Sequence, residues 1–170
     1  HVKFTIHSQS TQETLDLLDR QQIDLGLTAE PVHKKNITYD KVMDIEDTFI
    51  ATPSYLTNMQ LREGRSQTDI FRSGTILMLE KGNVSRTHID DYLRERHIEP
   101  VHLLEVSTMD LLIDFARIGL GAGCVIKNFV EDELQSGVFV EIPMDPPIPR
   151  RTIGFVSSSQ SFHSKALDMF

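Results

Sequence analysis

Leu111, Leu112, Phe115 and Ile118 recur at three- and four-residue spacing, which predicts a helix with one apolar face over residues 107–118. Ser107 or Thr108 can accept a backbone N–H bond at its start, and Asp110 adds negative charge to its first turn. Gly119 and Gly121 stand where a helix stop needs positive φ, and residues 122–126 then read as a buried strand. Elsewhere the same reading alternates strands and helices. Residues 2–7 alternate apolar and polar positions, residues 8–11 offer several N-cap candidates, and the helix that follows carries Leu15, Leu17 and Leu18. Residues 23–27 form a short apolar strand, so a βαβ unit with parallel strands is expected. Residues 38–43 and 48–51 are extended, and residues 58–68 are a short helix or an exposed loop. A second set follows: strand 75–79, a turn at Lys81-Gly82-Asn83, helix 85–96 and strand 101–106. Helix 129–134, strand 138–142, a proline-rich break at Pro143, Pro146, Pro147 and Pro149, strand 151–156 and helix 162–170 complete the chain.

The order helix, glycines, strand argues against a nucleotide-binding loop at Gly119, Gly121 and Gly123. A dinucleotide fingerprint needs its glycines after a strand and before a helix. At 170 residues, with 39% hydrophobic and 25% charged positions, the chain can bury a core as one domain or two small lobes. No segment approaches the length of apolar chain that a membrane span requires. A net charge of −8 disfavours phosphate backbones as partners of this piece. Cys124 is the single cysteine, which excludes a disulfide within the chain and leans toward a reducing compartment. The chain opens on HVKFTI, already strand-like, with neither an initiating Met nor a secretory signal, so a fragment with an N-terminus further upstream is expected.

Candidate chemistry is sparse. The seven histidines form no HxxxH or HExxH pair, which leaves no metal site to name, and His7 and His33 read as surface or strand residues. Cys124 lies in an apolar strand without a basic neighbour and reads as a buried, inert thiol. Asp90 and Asp91, with Arg94 and Glu95 nearby, read as a solvated helix face rather than an acid/base dyad. What remains is a set of small polar residues at helix starts: Ser8, Ser10 and Thr11, then Asn83, Ser85 and Thr87, then Ser107 and Thr108. Helix N-termini carry partial positive charge and free N–H groups, so such starts can hold a carboxylate or phosphate, or they can simply cap their helices.

Several of these segments, taken in order, resemble the effector-binding domain of LysR-type transcriptional regulators. They are Ile23-Asp24-Leu25-Gly26-Leu27, Gly82-Asn83-Val84-Ser85-Arg86 before Ile89-Asp90-Asp91-Tyr92-Leu93, Glu99-Pro100 and Glu105, Ile118 to Gly123, and the run 134–142. Residues 151–156 and 164–170 are similar to that family's closing strand and helix. The resemblance implies an α/β, two-lobed fold like type II periplasmic binding proteins. Lobe I would be residues 1–45 plus 150–170 and lobe II residues 46–149, with crossovers near 45–49 and 149–153. It further implies an N-terminally truncated fold, with the first strand and helix of lobe I absent from this chain, together with a winged helix-turn-helix and linker helix. One wall of the pocket would then be missing.

By the same resemblance, a small-molecule effector, with an anion as the natural candidate, binds between the lobes to Ser10, Thr11, Thr28, Ser85, Arg86 and Thr87. Arg86 could grip a carboxylate bidentately, or could be a surface residue of its helix. The family's usual proline after the glycine strand is replaced by Ile126-Lys127, and Val84 and Ser85 replace the polar or aromatic residues found in some members. No catalytic residue, cofactor or metal is expected. A free solute-binding receptor and an enzyme on the same scaffold are the alternatives to a cytoplasmic regulator's sensor domain. The family further implies self-association as a dimer or tetramer, with Tyr92 and Leu93 as candidate surface contacts on lobe II, and DNA contact only through the missing N-terminal part. Ligand-driven closure would turn lobe II on its two crossovers, with Pro149 stiffening one of them.

Overall fold

The computed structural model describes residues 5–7, 9–29, 35–63 and 69–159. Backbone contacts divide the chain into two units, His1–Asp44 with Arg151–Phe170, and Ile45–Arg150.

In the first unit, α1 (Thr11–Asp19) lays Leu15 and Leu18 on Val156, with Ile23, Ile37 and Tyr39 packed around them. Beneath the helix, β1 (Gly26–Ala29), β8 (Arg151–Ser158) and β2 (Ile37–Ile45) form a sheet in the order β1-β8-β2. The strand expected at 2–7 as the parallel partner of β1 lies largely outside the described residues, and the pairing seen is with β8. β1 pairs antiparallel with β8, with Gly26 opposite Val156 and Thr28 opposite Gly154. The strand starts three residues later than periodicity suggests, and Ile23 instead packs against the core beneath α1 ahead of it. Gly26 lies directly below the helix, where a Cβ would approach Thr14 Cγ2 to 2.4 Å. Residues 5–7 are not in a strand, and the rest of the expected 2–7 strand, Ser8 and the closing helix lie outside the described residues.

The second unit is built on five strands in the order β5-β4-β6-β3-β7. They are β3 (Asp47–Ala51), β4 (Thr75–Leu79), β5 (His102–Val106), β6 (Ala122–Ile126) and β7 (Val140–Ile142). β4 runs parallel to β5 and β6, whereas β3 is antiparallel to β6 and β7. Alternating side chains feed two cores. Phe49, Ile76 and Met78 join Ile70 and Phe71 of the short α3 (Ile70–Ser73) and Ile89, Tyr92 and Leu93 of α4 (Val84–Glu95) on one face. Ile50, Leu77 and Val125 join Leu112 and Ile113 of α5 (Met109–Arg117) on the other. Both faces of the sheet are therefore covered, and all five β3 residues are buried.

One further expectation is narrowed and three change. α2 (Pro53–Glu63) begins at proline, whose fixed φ suits a first helical position, and Thr52 Oγ1 accepts the Tyr55 N–H at 3.3 Å. Of the two readings of residues 58–68, a short helix or an exposed loop, the helix holds as far as Glu63, and 64–68 lie outside the described residues. α5 is capped by Thr108, but it buries Leu112, Ile113 and Ala116 and leaves Leu111 and Ile118 exposed. Gly119 ends it at φ 76°, whereas Gly121 needs no positive φ; a Cβ there would meet the Thr75 carbonyl oxygen at 2.5 Å. Finally, Tyr92 and Leu93 are 3% exposed, so they are core residues and are not available as surface contacts.

Candidate functional site

β4 ends at Leu79, and Gly82, at φ 93°, turns the chain into α4. Asn83 caps that helix by accepting the Ser85 N–H at 2.9 Å, and the exposed Thr87 donates its hydroxyl to the Asn83 carbonyl at 3.2 Å. Ser85 is half-buried on the same turn. Arg86 points inward and is only 4% exposed. Its Nη1 donates to the Leu79 carbonyl at 2.7 Å and to Glu105 at 2.5 Å, and its Nε donates to Asp90 at 2.8 Å. Burial works against its charge, but the bonds to Asp90 and Glu105 outweigh that, and its pKa lies above the ordinary arginine value.

Two expectations are corrected by this arrangement. Arg86 is neither a surface residue nor a bare guanidinium awaiting a carboxylate, because two carboxylates of its own unit already match it. Asp90 is not simply part of a solvated face, since it is one of those two partners. Asp91 does lie on the solvent side, paired with Arg94 at 2.5 Å.

Immediately beneath the turn lies a cavity of about 10 Å³ lined by Asp47, Met78, Ser85, Arg86, Met109 and Cys124, among others. That is the volume of roughly one water molecule, too small for an organic ligand. Cys124 is buried there, as its apolar strand led us to expect. Among the described residues no cluster of three or more His, Cys, Asp or Glu could hold a metal, and no helix is long and apolar enough to cross a membrane.

In the first unit, Ser10 caps α1 in a reciprocal box. Its Oγ accepts the Glu13 N–H at 3.3 Å, while Glu13 Oε2 accepts the Ser10 N–H at 3.0 Å and the Ser10 hydroxyl at 2.8 Å. Those bonds hold the Glu13 carboxyl below the usual carboxylate range. Thr11, half-buried, opens the helix. Thr28 differs from all of these: it is 4% exposed in β1, and its Oγ1 has no hydrogen-bond partner among the described residues. The structure therefore groups Ser10 with Thr11, and Ser85 with Arg86 and Thr87, as two helix starts in two units. Sequence reasoning passed over Asp47, His88 and the partnership of Glu105 with Arg86. The four-residue spacing of Arg86 and Asp90 was the one local signal for that network.

A profile of the family described as LysR substrate binding domain matches residues 1–170. The chain belongs to that family. Among LysR-type relatives, the uncharacterized HTH-type transcriptional regulator YeiE of Escherichia coli K12 is 24% identical over 162 residues, covering 95% of this chain and 54% of that protein. The chain thus spans about half the length of the curated relatives it matches. The apo regulatory domain of HypT from Salmonella typhimurium has the same fold, with a TM-score of 0.81 at 11% identity over 98% of this chain and 78% of that one. The regulatory domain of CcmR from Synechocystis PCC6803, solved in complex with 2-PG, has a TM-score of 0.74 at 14% identity over 95% and 76%. The two-lobed α/β fold of LysR effector-binding domains follows from the family match.

Proposed function

We propose that this chain is the sensing domain of a longer LysR-type regulator, and that the units 1–44 with 151–170 and 45–150 are its lobes I and II. Its effector is a small anion or a hydroxyl-rich acid. Ser10, Thr11 and Thr28 supply the contacts of the first unit, and Ser85 and Thr87 those of the second. The free N–H groups and partial positive charge of α1 and α4 favour an anion over a cation. Arg86 takes part by fixing the first turn of α4 from beneath. CcmR, whose regulatory domain was solved with 2-PG, supports a small-molecule effector for this fold. DNA contact and self-association belong to the intact protein in the cytoplasm.

The observation that carries the reading is the Thr28 hydroxyl, buried and without a protein partner among the described residues. Buried polar groups are nearly always hydrogen-bonded, and an orphaned one costs about 1–3 kcal/mol, which a ligand hydrogen bond would recover. Thermal-shift screening of the intact protein against small organic acids, followed by calorimetric titration of those that raise its Tm, tests it. Thr28→Val keeps the shape of the side chain and removes the hydroxyl; the expected affinity loss is about tenfold, the worth of one such bond. Unchanged affinity would remove Thr28 from the site.

A further inference from the structure

We propose that α4 is a transmission element, with His88 and Tyr92 as positioning residues for the segment 146–150 through which the chain leaves the second unit. The inference rests on the effector reading above, because the same helix carries Ser85 and Thr87 in its first turn. His88 and Tyr92 are four residues apart and so lie on one side of the helix. Tyr92 Oη donates to the Pro146 carbonyl at 2.6 Å, and His88 Nε2 lies 3.0 Å from the Pro149 carbonyl. A carbonyl oxygen only accepts, so that ring nitrogen carries a proton. The buried Asp47 carboxylate is 3.9 Å from the same nitrogen. Asp47 lies just after the chain enters this unit at Ile45, and Pro149 lies just before it leaves at Arg150. His88 therefore hydrogen-bonds the backbone by which the unit is left and faces, at 3.9 Å, the side chain of a residue just inside its entry.

The composition of the outgoing stretch makes these two bonds count. Pro143, Pro146, Pro147 and Pro149 have no N–H to offer a strand ladder, so carbonyls are the handles that remain at those positions. Ile148 is buried in the core beside α4, and Arg150 is held by Glu46 at 3.1 Å. A displacement of the first turn of α4 is thus carried one and two turns along a rigid helix to His88 and Tyr92, and from them to the carbonyls of residues 149 and 146.

Trypsin cleavage of the intact protein after Arg150 reads this segment, with cleavage after Arg117 as the internal reference. Tyr92→Phe keeps the ring in the core and removes only the hydroxyl; the expected acceleration at Arg150 relative to Arg117 is about fivefold, the worth of one hydrogen bond in local opening. His88→Ala should do the same, and His88→Gln, which retains a donor at the Nε2 position, should restore protection. Asn83→Ala weakens the α4 start and should also expose Arg150, with no added effect when Tyr92→Phe and His88→Ala are already present. Unchanged cleavage after Arg150 in both Tyr92→Phe and His88→Ala would overturn the proposal. So would Asn83→Ala accelerating both sites equally. None of these measurements uses an effector, so their failure is distinct from a failure of the Thr28 titration.

Discussion

The Arg86 guanidinium joins three pieces of the second unit: the end of β4 through Leu79, β5 through Glu105 and α4 through Asp90. Removing one partner from a buried pair is costly because the other charges are stranded, but here Asp90 and Glu105 are 39% and 40% exposed and can rehydrate. Arg86→Met should therefore lose about 2 kcal/mol in urea denaturation, below the 3–5 kcal/mol of a fully buried pair. Effector affinity measured on the folded variant should change less than about tenfold, because no charged bond to the ligand is lost. A loss of stability below the error of the measurement would show the network to be idle. A much larger affinity loss would return Arg86 to the ligand's own contacts. From sequence, the hydroxyl-rich turn around Arg86 could be seen, but the direction of its side chain could not. That direction is set by Glu105, nineteen residues away on another strand.

Elements with strong local signals were legible within a residue or so. Helix 85–96 is found as Val84–Glu95, and strands 75–79 and 122–126 are found at those bounds. Each has a cap, a turn glycine or an unbroken apolar run beside it. What periodicity left open was which of two neighbouring apolar stripes faces inward. α4 buries Ile89, Tyr92 and Leu93, and α5 buries Leu112, Ile113 and Ala116, because the sheet beneath them selects those stripes. Non-local pairing was equally out of reach, since β1 pairs with a strand more than 120 positions later, Gly26 opposite Val156. At the α1–β1 contact Gly26 is the element-scale constraint. Gly26→Ala would press a methyl against Thr14 Cγ2 and Val156 Cγ2, built at 2.4 and 2.9 Å. A loss of about 1–3 kcal/mol is expected, as for overpacked cores, read from the chemical denaturation midpoint. A neutral outcome would mean that α1 can lift from the sheet without loss.

At the scale of the molecule, two units joined at residues 44–45 and 150–151 carry the family's sensing fold. An effector can shift such a protein only by binding one of its states better than another, and couplings of this kind are typically 1–3 kcal/mol. The central claim is that this chain senses a small molecule on behalf of a DNA-binding regulator. Footprinting of the intact protein on the DNA upstream of its own coding sequence, with and without a compound that raises its Tm, tests this most directly. The account predicts a changed footprint, or an apparent DNA Kd shifted by at least about fivefold, the lower end of typical allosteric coupling, with the shift diminished in Thr28→Val. An identical footprint and Kd at a concentration where melting shows the compound bound, or no protection of any DNA tested, would contradict it.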